Sequence, residues 1–192
     1  MLTCARCSKS IPEGQEIRVI GRSKRSPATI LCQKCAAEIE TKWQGETENP
    51  NLLGAVSLAL GAGGIIAVVW YMAVTWINHE LGLVAVVTGW LVAQAAMLGS
   101  ARKRGQAVQI TSAVITLLVI LLNEYLVLRY FLIVELKADP SSVPILLPVD
   151  LLQFLWYGIK LQPLNLLFWA IGLYLAFVIP TSRQLQRTPP QA

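Results

Sequence analysis

Four apolar stretches, at about residues 52–77, 81–99, 107–134 and 164–180, set the limits on what this chain can fold into. A helix that crosses hydrocarbon needs about 20 such residues. Hydrocarbon offers no water to backbone N–H and C=O groups, so each stretch must satisfy its own backbone as a helix. Charged residues make up 14% of the chain and hydrophobic residues 55%, whereas a soluble domain carries roughly a quarter charged. Most of the charge lies ahead of the first apolar stretch. The expected organisation is a head over residues 1–45, a polar Pro-bearing linker over 46–51, an all-α four-helix transmembrane bundle over 52–180 and a tail over 181–192. Asn51 is placed to cap the first span.

All four cysteines lie in the head, as Cys4-Ala5-Arg6-Cys7 and Cys32-Gln33-Lys34-Cys35. Two residues between cysteines let one tight turn aim both sulfurs at a single ion, and four thiolates satisfy tetrahedral zinc. Between the pairs, Gln15–Ile20 and Ala28–Leu31 read as two strands of a β-hairpin turning over Gly21–Pro27. The residues after Cys35 read as a short helix. The head is thus expected to be a small zinc-ribbon or treble-clef-like module with a structural zinc on Cys4, Cys7, Cys32 and Cys35. Iron on the same four sulfurs is the alternative. A segment this short buries little core, and a structural metal supplies stability it lacks.

No secretory leader is visible, so the head is expected in a reducing cytosol, where paired cysteines hold metals more often than disulfides. Arg102-Lys103-Arg104 between the second and third spans, the basic residues of the head, and Arg183 and Arg187 of the tail place both termini on the cytoplasmic side of a cell (inner) membrane. The net charge of +5 is absorbed by this pattern. The head mixes Arg and Lys with Glu, so nucleic acid is not an expected partner.

Small residues mark helix contacts in lipid. Gly54, Ser57, Gly61 and Gly64 share one face of the first span, and Gly82, Ala85, Gly89, Ala93, Ala96 and Ser100 one face of the second. An intimate antiparallel pair is expected. In the third span, Gln109, Ser112, Thr116, Asn123 and Tyr130 share a face, with Glu124 and Glu135 on its flank. Gln109, Thr116, Asn123 and Glu124 form a candidate intramembrane polar site. They either bond to neighbouring helices or line a hydrated path. Between the third and fourth spans, prolines 140, 144 and 148 oppose helix, and about 150–161 reads as an interfacial helix opened by Asp150. The lone histidine, His79, beside Glu80, reads as part of a turn.

The stretches Glu80–Ala85, Gly105-Gln106 and Leu166–Tyr174 resemble those of a loose set of uncharacterised bacterial four-span membrane proteins. Some of these carry an N-terminal zinc-ribbon-like head. The resemblance implies architecture and no activity.

For function, the sequence favours an adaptor, scaffold or accessory subunit of a membrane complex, with a protein partner or a second copy of itself. It carries no P-loop, no dinucleotide fingerprint and no His-Glu-x-x-His, and the balance leans away from an enzyme. A small oligomeric transporter or channel using the polar face of the third span is the alternative. A redox or lipid-acting membrane enzyme with iron in the head is the second.

Overall fold

The computed structural model describes residues 2–12, 15–19, 29–77, 82–135 and 163–182, together with Lys137 and Trp156. The chain divides into two compact units, Met1–Glu48 with Ser182–Ala192, and Asn49–Thr181. The segment expected as an interfacial helix lies outside the described residues except for exposed Trp156. So do the Gly21–Pro27 turn, His79 with Glu80, and the tail beyond Ser182.

The head begins with two short strands, β1 (Leu2–Thr3) and β2 (Ser10–Ile11), paired antiparallel with Leu2 opposite Ile11. They close a turn that holds the first cysteine pair. Ser8 sits at φ 57°, a left-handed conformation uncommon outside glycine. It lets the Ser8 N–H reach the Cys4 carbonyl at 2.9 Å while the Cys4 N–H reaches Lys9 at 2.9 Å. A second hairpin pairs β3 (Ile17–Val19) with β4 (Thr29–Leu31), Ile17 opposite Leu31. This lies inside the two strands expected from the alternation of β-branched residues. Helix α1 (Gln33–Gly45) follows at once. It starts before Cys35 rather than after it, because extended Cys32 occupies the N-cap position (φ −76°, ψ 157°). The core is small: Cys4, Ile11, Leu31, Cys35 and Ala36, with Ile17, Ile30 and Ile39 packed against it.

Among the described residues, the second unit holds four long helices: α2 (Leu52–Ile77), α3 (Leu83–Gly99), α4 (Gln106–Glu135) and α5 (Pro163–Val178). Of these, α2 and α4 are long and apolar enough to cross a membrane, and α3 and α5 are shorter apolar helices. Asn51 caps α2, its Oδ1 accepting the Gly54 N–H at 3.0 Å. Helix α3 packs on α2, α4 and α5, and α4 also packs on α2 and α5.

Glycines govern the two closest approaches. A Cβ on Gly54 or on Gly99 would collide with the other's carbonyl oxygen, so the start of α2 lies backbone to backbone against the end of α3. A Cβ on Gly89 would collide with the Gly172 carbonyl, and one on Gly172 with the Ala85 carbonyl. The small-residue stripe of α3 therefore serves α5 as well as α2, a partner that the expected antiparallel pair did not include. On α2, Gly61 and Gly64 have open space beside them, and the packed glycine is Gly63, against Val119 of α4. The buried face of α2 is Ala55, Ala59, Gly63, Ala67, Trp70 and Val74. It lies off the Ser57–Gly61–Gly64 line because two partners, α3 and α4, share it.

Beside an apolar core of Ala59, Val92, Ala96, Val108, Ile115 and Val119, this unit buries polar side chains and exposes large apolar ones. Thr88, Ser100, Gln109, Ser112, Thr116, Asn123 and Asn165 are buried, while Leu53, Ile65, Val69, Trp76, Leu83, Leu118, Leu167 and Tyr174 are exposed. Only 22% of the most apolar window of α2 and 28% of that of α4 is buried, so neither is a core helix.

Candidate functional site

Four sulfurs converge in the head. Cys4 and Cys7 come from the turn between β1 and β2, Cys32 from the end of β4, and Cys35 from the first turn of α1. The four Sγ atoms all lie within 4.8 Å of one another, and Cys7 Sγ is 3.8 Å from Cys32 Sγ. Ligands about 2.3 Å from a tetrahedral zinc sit about 3.8 Å apart, whereas a disulfide bond is about 2.05 Å. All four cysteines are free thiols. The donor set and its spacing fit one metal ion held by all four, as the two Cys-x-x-Cys pairs led us to expect.

The surroundings favour thiolate at one position and thiol at another. Backbone N–H groups gather on Cys4: the Cys32 N–H reaches its sulfur at 3.3 Å. Those of Cys32, Cys7 and Arg6 lower the Cys4 thiol from 9.0 to about 6. Cys35 is pushed up to about 12, first by its hydrogen bond to the Cys32 sulfur and then by burial. A metal-free head thus keeps a proton on Cys35 that a bound cation must displace. Cys4 and Cys35 are buried and Cys7 is exposed, so one edge of the cluster faces solvent. The turn is tied to the rest of the head by the Ala5 N–H to the Ile30 carbonyl at 3.0 Å. Arg6 also approaches Glu38 of α1 at 3.6 Å, both about half exposed, a geometry worth little by itself.

The polar residues of α4 do not gather at one place. At its start, Gln109 Nε2 donates to the Phe177 carbonyl at 3.1 Å and to Thr181 Oγ1 at 2.8 Å. Ser112 Oγ donates to the Ala176 carbonyl at 2.6 Å. These side chains serve the last carbonyls of α5, which have no partner within their own helix. The α3–α4 loop does the same. Arg104 Nη1 donates to Ile179 at 3.0 Å and the Gly105 N–H to Pro180 at 3.0 Å, placing a cation where the helix dipole favours one. Thr116 is fully buried with no partner for its Oγ1. Tyr130 stacks edge to face on Tyr71 at 6.1 Å. Asn123 and half-buried Glu124 stand further along α4, on the order of 20 Å from Gln109 at 1.5 Å per residue. There they meet Thr88 of α3 and Asn165 of α5 around a small cavity. Neither Thr88 nor Asn165 stood out in the sequence, although each is an isolated polar residue inside an apolar run. The side chain of Glu135 lies outside the described residues.

No family model matches the chain, and no curated protein or solved structure matches it.

Proposed function

We propose that this chain is an integral membrane protein whose head is a structural zinc module of treble-clef type, and that it works as an adaptor or accessory subunit of a membrane complex. The observation that carries this reading is the convergence of all four thiols on one point. Four sulfurs complete a tetrahedral shell and leave no position for water or substrate. A metal so enclosed supports a fold, and the fold presents a surface. The order of turn, hairpin and helix, with the last ligand in the first helical turn, supports the treble-clef assignment over a ribbon.

The membrane reading draws on the outward leucines and inward amides of the four helices. Exposed apolar surface of that extent is found where lipid or protein covers it. The contact between Gly54 and Gly99 and the bonds from Arg104 and Gly105 to the end of α5 put the start of α2, the α3–α4 loop and the end of α5 at one end of the bundle. With Arg102-Lys103-Arg104 there, the positive-inside rule turns that end to the cytoplasm. Helices α3 and α5 are shorter than a full span and fit a bundle whose longer members define its thickness.

The test is purification of the intact protein from membranes in mild detergent, beside Cys7→Ser. A stoichiometric partner, or self-association, that disappears in Cys7→Ser while the variant stays in the membrane is the expected result. Recovery of a lone monomer from native membranes would overturn the reading.

A further inference from the structure

A small cavity is walled, among the described residues, by Trp70 of α2, Thr88 of α3, Asn123 of α4, and Asn165 and Trp169 of α5. Its volume is about 20 Å³, room for one water. Asn123 is 7% exposed, and its buried Oδ1 has no hydrogen-bond partner. An amide oxygen is costly to leave unmatched away from water. Thr88 and Asn165, 2% and 7% exposed, put further polar side chains on the same wall. Glu124 also lines the cavity but already has a partner. The unmet demand is for a hydrogen-bond donor at Asn123 Oδ1, in a space the size of one water.

The bundle turns apolar on one side of this cavity. Ala59, Val92, Ala96, Val108, Ile115 and Val119 form one buried cluster. Along α3 and α4 it lies between Thr88 and Asn123 and the end that carries Arg104. Gln109 and Ser112, on the same stretch of α4, are already bonded to carbonyls of α5. A buried water needs about 2–4 polar partners, and the apolar cluster offers none from its side chains. We propose that the cavity holds one structural water, which donates to Asn123 Oδ1 and bonds a second polar group of the wall. This water is held in place and is not one link of a chain crossing the bundle. Asn123 then joins helices through water, as Gln109 and Ser112 join them directly nearer the other end. The site is separate from the metal cluster of the head, and its test does not depend on the partner sought above.

The experiment uses the full chain, zinc-loaded, in detergent. A short X-ray pulse converts bound water to hydroxyl radicals, which mark the side chains beside it, and mass spectrometry reads the marks. Trp70 is the reporter, because it walls the cavity and is only 8% exposed. The expected result is a clear mark on Trp70 despite that burial. It should fall by at least about threefold in Asn123→Leu, which removes the acceptor at similar size. Thr88→Val supplies the same readout if Asn123→Leu does not fold, and Ser112→Ala, far along α4, should leave the mark unchanged. Ile115 and Val119, corrected for intrinsic reactivity, should stay unmarked. No mark on Trp70, or a mark that neither cavity variant lowers, overturns the proposal and leaves the cavity dry. Marks on Ile115 and Val119 that match that on Trp70 overturn it in the other direction, with water running along the bundle.

Discussion

Removing the metal should unfold the head and leave the four-helix unit intact. The magnitude follows from the core. Ile11 and Leu31, 3% and 5% exposed, are its only fully buried large aliphatic side chains among the described residues. At about 1.5–3 kcal/mol each they contribute about 3–6 kcal/mol. Zinc in comparable small modules contributes about 10–16 kcal/mol at neutral pH. The metal term is larger by a factor of roughly two to five, and ordering the chain opposes both. The substitution that separates metal loss from core loss is Cys7→Ser, since Cys7 is exposed while Cys4 and Cys35 lie in the core. Losing a direct ligand should lower zinc affinity by more than the ~10–100-fold that outer-shell changes cost.

Hydrogen exchange read by mass spectrometry on the full chain in detergent reports both units at once. With zinc bound, the amides of Cys4, Ala5 and Ala36 are held by Lys9, Ile30 and Cys32 and should be protected. In Cys7→Ser, or after chelation, their protection should vanish while that of α3 and α4 stays. Protected head amides in zinc-free protein would refute the reasoning, because the apolar contacts would then be sufficient alone.

Zinc affinity should rise at least tenfold per pH unit between about pH 7 and 9. The Cys35 proton, held up to about 12, must leave on binding throughout that range, whereas Cys4, lowered to about 6, is already ionised there; a flat profile in competition titrations with a chelating dye would contradict this. In the helical unit, Gly89→Ala should destabilise by about 1–3 kcal/mol through overpacking against Gly172. By contrast, Gly61→Ala, with open space beside it, should be neutral or stabilising by up to about 1 kcal/mol; thermal unfolding in one detergent ranks them, and equal losses would contradict the packing. Ser112→Ala should cost about 1 kcal/mol by stranding the Ala176 carbonyl, and the same unfolding assay should show a smaller loss for Thr116→Val, whose hydroxyl has no partner to lose.

The head was legible where chemistry is local. Cysteine spacing announced the metal cluster, and the alternation around Ile17 and Val19, with the short run Ala28–Leu31 as return strand, announced the second hairpin. The first hairpin was not legible, because two-residue strands show no periodicity. They are held by a turn whose Ser8 takes a left-handed conformation that serine does not advertise. In the helical unit, the apolar runs marked the four described long helices to within a few residues. Which glycines meet a neighbour was only half legible. Gly54 and Gly89 touch backbone and Gly61 and Gly64 touch nothing, a difference that depends on how α2 and α3 are rotated toward partners distant in sequence.

The polar face of α4 shows why a stripe does not by itself define a site. Helical periodicity aligns Gln109, Ser112, Thr116 and Asn123, but the partner against that face changes along the helix. Near its start the face meets the carbonyl end of α5, which lacks donors, and Gln109 and Ser112 supply them. Further along it meets the opposite end of the bundle, beside Thr88 and Asn165, and there the Asn123 Oδ1 finds no partner. The same kind of side chain is thus structural at one end of α4 and unmatched at the other. The deciding variable is whether the facing helix presents an end whose carbonyls lack donors of their own.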